Sequence, residues 1–113
     1  MSRLPRLSRR LVLEAPQRVA DGAGGWSEAW QVLGTLPAEV IAGAGRERAG
    51  QGAALSRMAY RITVRGAPVG ASFRPQAGQR FREGGRVFHI QAVAERDPRG
   101  AYLICFAEEE NAA

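Results

Sequence analysis

The clearest pattern in the chain runs through Arg57-Met-Ala-Tyr-Arg-Ile-Thr-Val-Arg65. Met58, Tyr60, Ile62 and Val64 fall on one face, and Arg57, Arg61, Thr63 and Arg65 on the other. An apolar/polar period of two is the signature of a half-buried β-strand. The same reading extends over most of the chain. Arg9-Arg-Leu-Val-Leu-Glu14 has strand composition and is expected to stop before Pro16. Asp21-Gly-Ala-Gly-Gly25 reads as a turn. Trp26–Leu33 fits a strand better than a helix, although Trp26, Trp30 and Leu33 also match helical spacing. Leu36, Ala38 and Val40 alternate onto one face, with Pro37 near the start of their strand.

The last third predicts a three-stranded meander. Gly84-Gly85 makes a two-residue hairpin turn, which sets Phe81 opposite Phe88 and Glu83 opposite Arg86, an aromatic pair flanked by an ion pair. Asp97-Pro-Arg-Gly100 makes a second turn. Centring it sets Val93 opposite Ile104, Ala92 opposite Cys105, and His89 opposite Glu108 and Arg80. Phe88, Ile90, Ala92, Leu103 and Cys105 then share one face; Val93, Tyr102, Ile104 and Phe106 share the other. Two partly apolar faces suit a closed barrel or a sheet covered by a neighbour, not an open sheet with one face in water.

These elements predict an all-β fold, a small β-barrel or sandwich of about six or seven strands in one domain spanning 1–113. Three segments stand outside its core. Residues 1–8 form a basic N-terminal arm, and residues 108–113 a flexible acidic tail. Between them, residues 43–56 are rich in Gly and Ala, with no large apolar residue before Leu55. Such a segment cannot contribute to a core, so it reads as a long inserted loop or as a short helix around Arg46–Ala49. Gly66–Gly78, with two prolines, is a connecting loop.

Composition then narrows the chemistry. The 113 residues carry 16 basic and 11 acidic side chains for a net charge of +5, with one histidine and one cysteine. Every basic residue is arginine. One cysteine excludes an intrachain disulfide, and His89 plus Cys105 fall short of a closed zinc site. The absence of lysine removes a Walker loop, and the glycine clusters do not match a dinucleotide fingerprint. No cofactor, metal or catalytic group is implied. Cys105, between Ile104 and Phe106, reads as a small buried hydrophobe. No apolar run approaches the roughly 20 residues of a membrane helix, no signal-peptide pattern follows the basic start, and a lone cysteine fits a reducing compartment.

The arginines suggest nucleic acid, but they are spread out: a net of +4 over residues 1–20, −3 over 107–113 and +4 between. The aromatics Tyr60 and Phe88 point to core faces, so stacking platforms for bases are not evident. A small basic nucleic-acid-binding β-barrel stays open as an alternative. An enzyme built on His89 with Glu108 is a second one.

The order and spacing of several short pieces go further. Arg9-Arg10-Leu-Val-Leu-Glu14 before Pro16, Asp21-Gly-Ala-Gly-Gly25, Trp30, Leu36-Pro-Ala-Glu39, Gly45-Arg-Glu47, Arg61-Ile-Thr-Val-Arg65, Gly85-Arg-Val-Phe88, Ile90, Val93 and Leu103-Ile-Cys105 together resemble the phage head–tail joining proteins. These are also called head-closure, stopper or connector proteins, and occur in long-tailed phages and phage-like gene transfer agents. The resemblance implies a virion or virus-like particle protein of the neck, assembled in the bacterial cytoplasm. It implies a ring homo-oligomer, on the order of six or twelve copies, that extends and can close the DNA channel. A portal or adaptor ring would lie on one side, tail terminator or tail tube proteins on the other. No membrane partner is implied, and channel DNA is a non-specific contact. By position, Gly43, Gly45, Arg46, Glu47, Arg48 and Gln51 are candidates for a channel or inter-ring loop. Arg9, Arg10, Arg57, Arg61, Arg65 and Arg82 are candidates for inter-subunit or DNA-facing contacts.

Overall fold

The structure, a computed structural model, describes residues 3–43 and 58–110. Among these residues all regular structure is β, in six strands: β1 (Arg9–Ala20), β2 (Trp26–Ala42), β3 (Ala59–Arg65), β4 (Arg80–Glu83), β5 (Arg86–Glu95) and β6 (Tyr102–Glu109). All pairs are antiparallel, and the sheet closes in the order β1-β2-β3-β6-β5-β4. Closure removes the open edges that a six-stranded sheet would otherwise present.

Alternation places the core where the apolar pattern puts it. Leu11 and Leu13 of β1, Ala38 of β2, Ile62 and Val64 of β3, Phe81 of β4, Phe88 and Ile90 of β5, and Leu103, Cys105 and Ala107 of β6 are all buried. Phe81 sits directly across from Phe88, and Tyr60 meets the Phe88 ring edge-on at 5.2 Å. Leu36 and Val40 pack on the same cluster.

Four expectations need correcting. First, β1 does not end before Pro16 but continues to Ala20. Beyond Glu14 it pairs with β2 alone, and a free strand edge has N–H groups that bond nothing, so proline is tolerated there. Likewise Trp26–Leu33 and Leu36–Ala42 form one strand of 17 residues. Pro37 falls just before the stretch, starting at Ala38, that pairs with β3.

Second, the β5–β6 register near the turn is shifted by one. Gly100 adopts φ +68°, Gly100 N–H donates to Asp97 O, and Asp97 Oδ atoms accept from the backbone of Arg99, Ala101 and Tyr102. That left-handed glycine adds a residue to the loop, so Val93 faces Cys105 and Ala92 faces Phe106. A bulge between Ile90 and Ala92 restores the expected register, with His89 opposite Glu108. Val93 therefore joins the core and Ala92 is exposed.

Third, Glu83 lies opposite Arg86 as expected, yet they form no ion pair with each other. Glu83 takes Arg9, and Arg86 takes Glu109. Fourth, Thr63 is buried although it points outward between Ile62 and Val64.

Among the described glycines, Gly66 is the one where neighbouring backbone leaves no room for a side chain. A Cβ there would stand 1.9 Å from Gly100 O, and Gly66 N–H donates to Ala101 O at 2.8 Å. The Gly66–Gly78 connection is thereby fastened to the β5–β6 turn at its start. Gly78 N–H bonds Ile90 O near its end, and Pro75 is fully buried.

Candidate assembly surface

With the core accounted for, the outside of the barrel carries the functional question. Two sets stand out among its arginines. In the first, each guanidinium is spent within the chain. Arg9 reaches Glu83 through Nε at 2.8 Å and Nη2 at 2.6 Å; this bidentate geometry raises the Arg9 pKa and lowers that of Glu83. Arg86 grips Glu109 through Nε and Nη2 at 2.7 and 3.1 Å, and lowers its pKa. Arg80 and Arg82 both donate through Nε to Glu14, at 2.7 and 3.0 Å. Burial pushes the Glu14 pKa up, but these two hydrogen bonds and their charges outweigh it, and the net shift is downward. Glu14 sits at a register shift of β1.

The second set faces solvent. Arg10, Arg61 and Arg65 are exposed and make no ion pair among the described residues. Arg10 lies opposite Pro37 on β1–β2, Arg61 between Ile41 and Phe106, and Arg65 opposite Tyr102. Of the arginines expected at an interface, Arg9 and Arg82 thus stabilise their own barrel, whereas Arg10, Arg61 and Arg65 are available. Arg57, and the loop candidates Gly45, Arg46, Glu47, Arg48 and Gln51, lie outside the described residues. Gly43 is described: its N–H donates to Ala59 O at 2.7 Å and extends the β2–β3 ladder.

Both chain ends are used differently from the arm and tail of the sequence reading. Residues 3–8 form a strap over the outside of the sheet. Arg3 Nη1 and Arg6 N–H both donate to Glu39 Oε2, at 2.8 and 2.9 Å; the Arg3 bond is the main reason the Glu39 pKa is lowered. Arg96 donates to Arg3 O. Glu39, Thr63 and Ile104 form one row across β2, β3 and β6, and Thr63 in that row is buried. At the other end, Glu108 and Glu109 belong to β6, and Glu110 Oε1 lies 2.7 Å from His89 Nε2. His89 therefore pairs with Glu110, not with its register partner Glu108. Trp30 meets His89 edge-on, and Arg80 lies 4.0 Å above the Trp30 ring. Cys105 is buried, which pushes its thiol up to about 12 and leaves no thiolate for chemistry near neutral pH.

A third feature was not legible as a unit. Ala15–Ala20 and Trp26–Gln31 pair only with each other and extend past the barrel as a two-stranded ribbon. Asp21 closes it, accepting from Ala23 and Gly25 N–H at 2.8 and 2.9 Å, with Gly22 and Gly24 at φ near +80°. On one ribbon face stand Pro16, Arg18, Ala20, Trp26, Glu28 and Trp30; the continuity of the two strands across Pro16 and Gly34 hid this.

The surface is therefore one of projections, exposed arginines and exposed apolar side chains. The profile of the phage head completion protein family matches residues 3–110. This chain belongs to that family. A chain in the virion of a native gene transfer agent particle is 58% identical, with a TM-score of 0.83 over 97% of this chain and 100% of that one. Protein SF1141 from Shigella flexneri 2a, 23% identical with a TM-score of 0.71 over 99% of this chain and 100% of its own, shares the fold. The comparison with curated proteins gives no match.

Proposed function

We infer that this head completion protein is a structural component of a phage-like particle, a gene transfer agent or phage virion, at the junction of head and tail. Family membership over residues 3–110 and the 58%-identical chain of a gene transfer agent virion carry this reading. Its finer form is a ring between the portal or adaptor and the tail that extends the DNA channel and closes it until the tail docks. Exposed Arg10, Arg61 and Arg65 supply charge for contacts with neighbouring rings, or non-specifically with DNA phosphates. No bond-making step is required.

The segment between Gly43 and Met58 is assigned to the channel or to a neighbouring ring. The barrel supports this placement because Gly43 and Ala59 are hydrogen-bonded. The segment leaves and returns at one point, so its removal leaves the sheet closed. Deleting the gene should yield filled heads without tails or heads that lose DNA, with recovery on complementation. Deleting residues 45–52 should leave folding intact and impair DNA retention or tail joining. Normal particles and normal transfer from the gene deletion would sink the reading. Salt-dependent DNA binding by the isolated chain at physiological ionic strength would favour the nucleic-acid-binding alternative.

A further inference from the structure

The exposed end of the ribbon and a groove at the far end of the barrel are complementary. Trp26 is 62% exposed, far more than a large aromatic side chain requires in a barrel of this kind. Arg18 stands across from Glu28 in the ladder, but its guanidinium stacks 5.1 Å from the Trp26 ring instead. Glu28 is thereby left without an ion pair among the described residues, two positions from Trp26 and on the same face.

The groove has a volume of about 310 Å³ and is lined by Ala59, Arg61, Gln91, Phe106, Ala107 and Glu108, among others. Exposed apolar side chains stand beside it: Phe106 and Met58 are each 40% exposed and Ile41 37%. The bulge at Gln91 turns Ala92 outward beside Phe106. Arg61, in the groove wall, makes no ion pair among the described residues. One end of the molecule thus presents an indole beside an unpaired carboxylate. The other presents an apolar groove beside an unpaired guanidinium.

These two features cannot meet within one chain. Trp26 opens β2 and Ile41 lies 15 residues further along the same strand, a span of about 50 Å at roughly 3.3 Å per residue. Donor and acceptor at opposite ends of one strand make a heterologous, head-to-tail contact, which closes into a ring or continues as a filament.

We propose that the ribbon tip of one copy docks in the Arg61–Phe106 groove of the next copy, with Trp26 as the anchor and Glu28 paired to Arg61. This gives a contact to the ring of the preceding subsection and rests on that reading for its occurrence in a particle. The ribbon also gains the support that an isolated two-stranded hairpin lacks.

The test is an Ala23→Cys/Gln91→Cys double variant, at the ribbon tip and in the groove lining, which keeps Trp26, Glu28 and Arg61 and is treated with a short bis-maleimide, both as purified chain at high concentration and inside particles. Cys105 is buried and stays unreacted. The expected result is a ladder of covalent multimers extending beyond the dimer, absent from either single variant. Adding Trp26→Ala should weaken the contact by about 30-fold, as loss of an interface hot spot does, and collapse the ladder. Monomer alone in both preparations overturns the proposal, and a product stopping at dimer overturns the head-to-tail order. Particles that lack the chain overturn the head–tail reading only; the purified chain then decides the docking.

Discussion

The barrel and the ribbon share β1 and β2, yet the side chains of those strands meet opposite conditions in the two. Within the barrel, Leu11, Leu13 and Ala38 alternate into a core closed by four further strands. In the ribbon, Val19 and Trp26 are exposed and each strand has a single neighbour. Folding stability therefore resides in the barrel. The ribbon keeps apolar surface that folding does not use, as an interaction site does.

The sharpest way to break this comparison is in the core. Phe88→Ala removes a fully buried ring that faces Phe81 and Tyr60. It should destabilise the chain by about 3–5 kcal/mol, a fall in Tm on the order of 15 °C or more for a domain of this size. Thermal and urea denaturation of the purified chain measure it. A loss below about 1 kcal/mol would mean that the barrel is not the stable unit.

Next in size is the carboxylate beneath the two arginines. Glu14→Gln keeps the shape but leaves Arg80 and Arg82 facing a neutral amide. A loss of about 1–3 kcal/mol is expected, below the value for a fully buried pair because both arginines are partly exposed. The pH dependence has a definite sign. The folded-state pKa of Glu14 lies below its ordinary value of 4.5, so folding favours the ionised form. The contribution is complete above 4.5 and is lost as pH falls through the folded value. Denaturation at neutral pH and near pH 3 should show the wild type losing more stability on acidification than Glu14→Gln. Equal losses would remove Glu14 from the account.

Much of the barrel was legible in the sequence, and the reason is local. The period of two from Met58 to Val64, and the Gly84-Gly85 turn with its Phe81–Phe88 pair, depend on neighbours a few residues away. What could not be read depends on partners far along the chain. Pro16 looked like a terminator because nothing in the sequence says that β1 has lost its second neighbour there. Ala92 and Val93 exchanged faces because the conformation of Gly100 lengthened a loop. The choice of Arg9 over Arg86 by Glu83, and the strap from Arg3 to Glu39, join residues 74 and 36 positions apart. Among the candidate interface arginines, the strand pattern put Arg10, Arg61 and Arg65 in the same set as Arg9 and Arg82, and the structure exposes the first three. The pattern could not separate them from Arg9 and Arg82, whose carboxylates come from other strands.

The strap lies between barrel and ribbon in expected effect. Glu39 is the acceptor for both Arg3 and the Arg6 backbone. Glu39→Gln should change global stability by only about 0.5–1 kcal/mol, because the Arg3 side chain is mostly in water. It should, however, speed amide hydrogen exchange at Arg6. Unchanged protection there would show that the strap is held by something other than Glu39.

The smallest effect on stability is the most informative one. Trp26→Ala removes the exposed indole of the ribbon face, a ring that is mostly in water and packs on Arg18. Its effect on the monomer should stay within about 0.5 kcal/mol, several-fold less than that of Phe88→Ala. A ring of that size left exposed contributes almost nothing to the fold it belongs to. If Trp26→Ala instead lowers Tm as a core substitution does, the ribbon is part of the folding unit and its apolar face is already satisfied. If it leaves Tm unchanged while particles lose DNA or fail to join tails, the division of labour between the two halves of β2 is established: one end holds the barrel together, and the other holds the barrel to its neighbours.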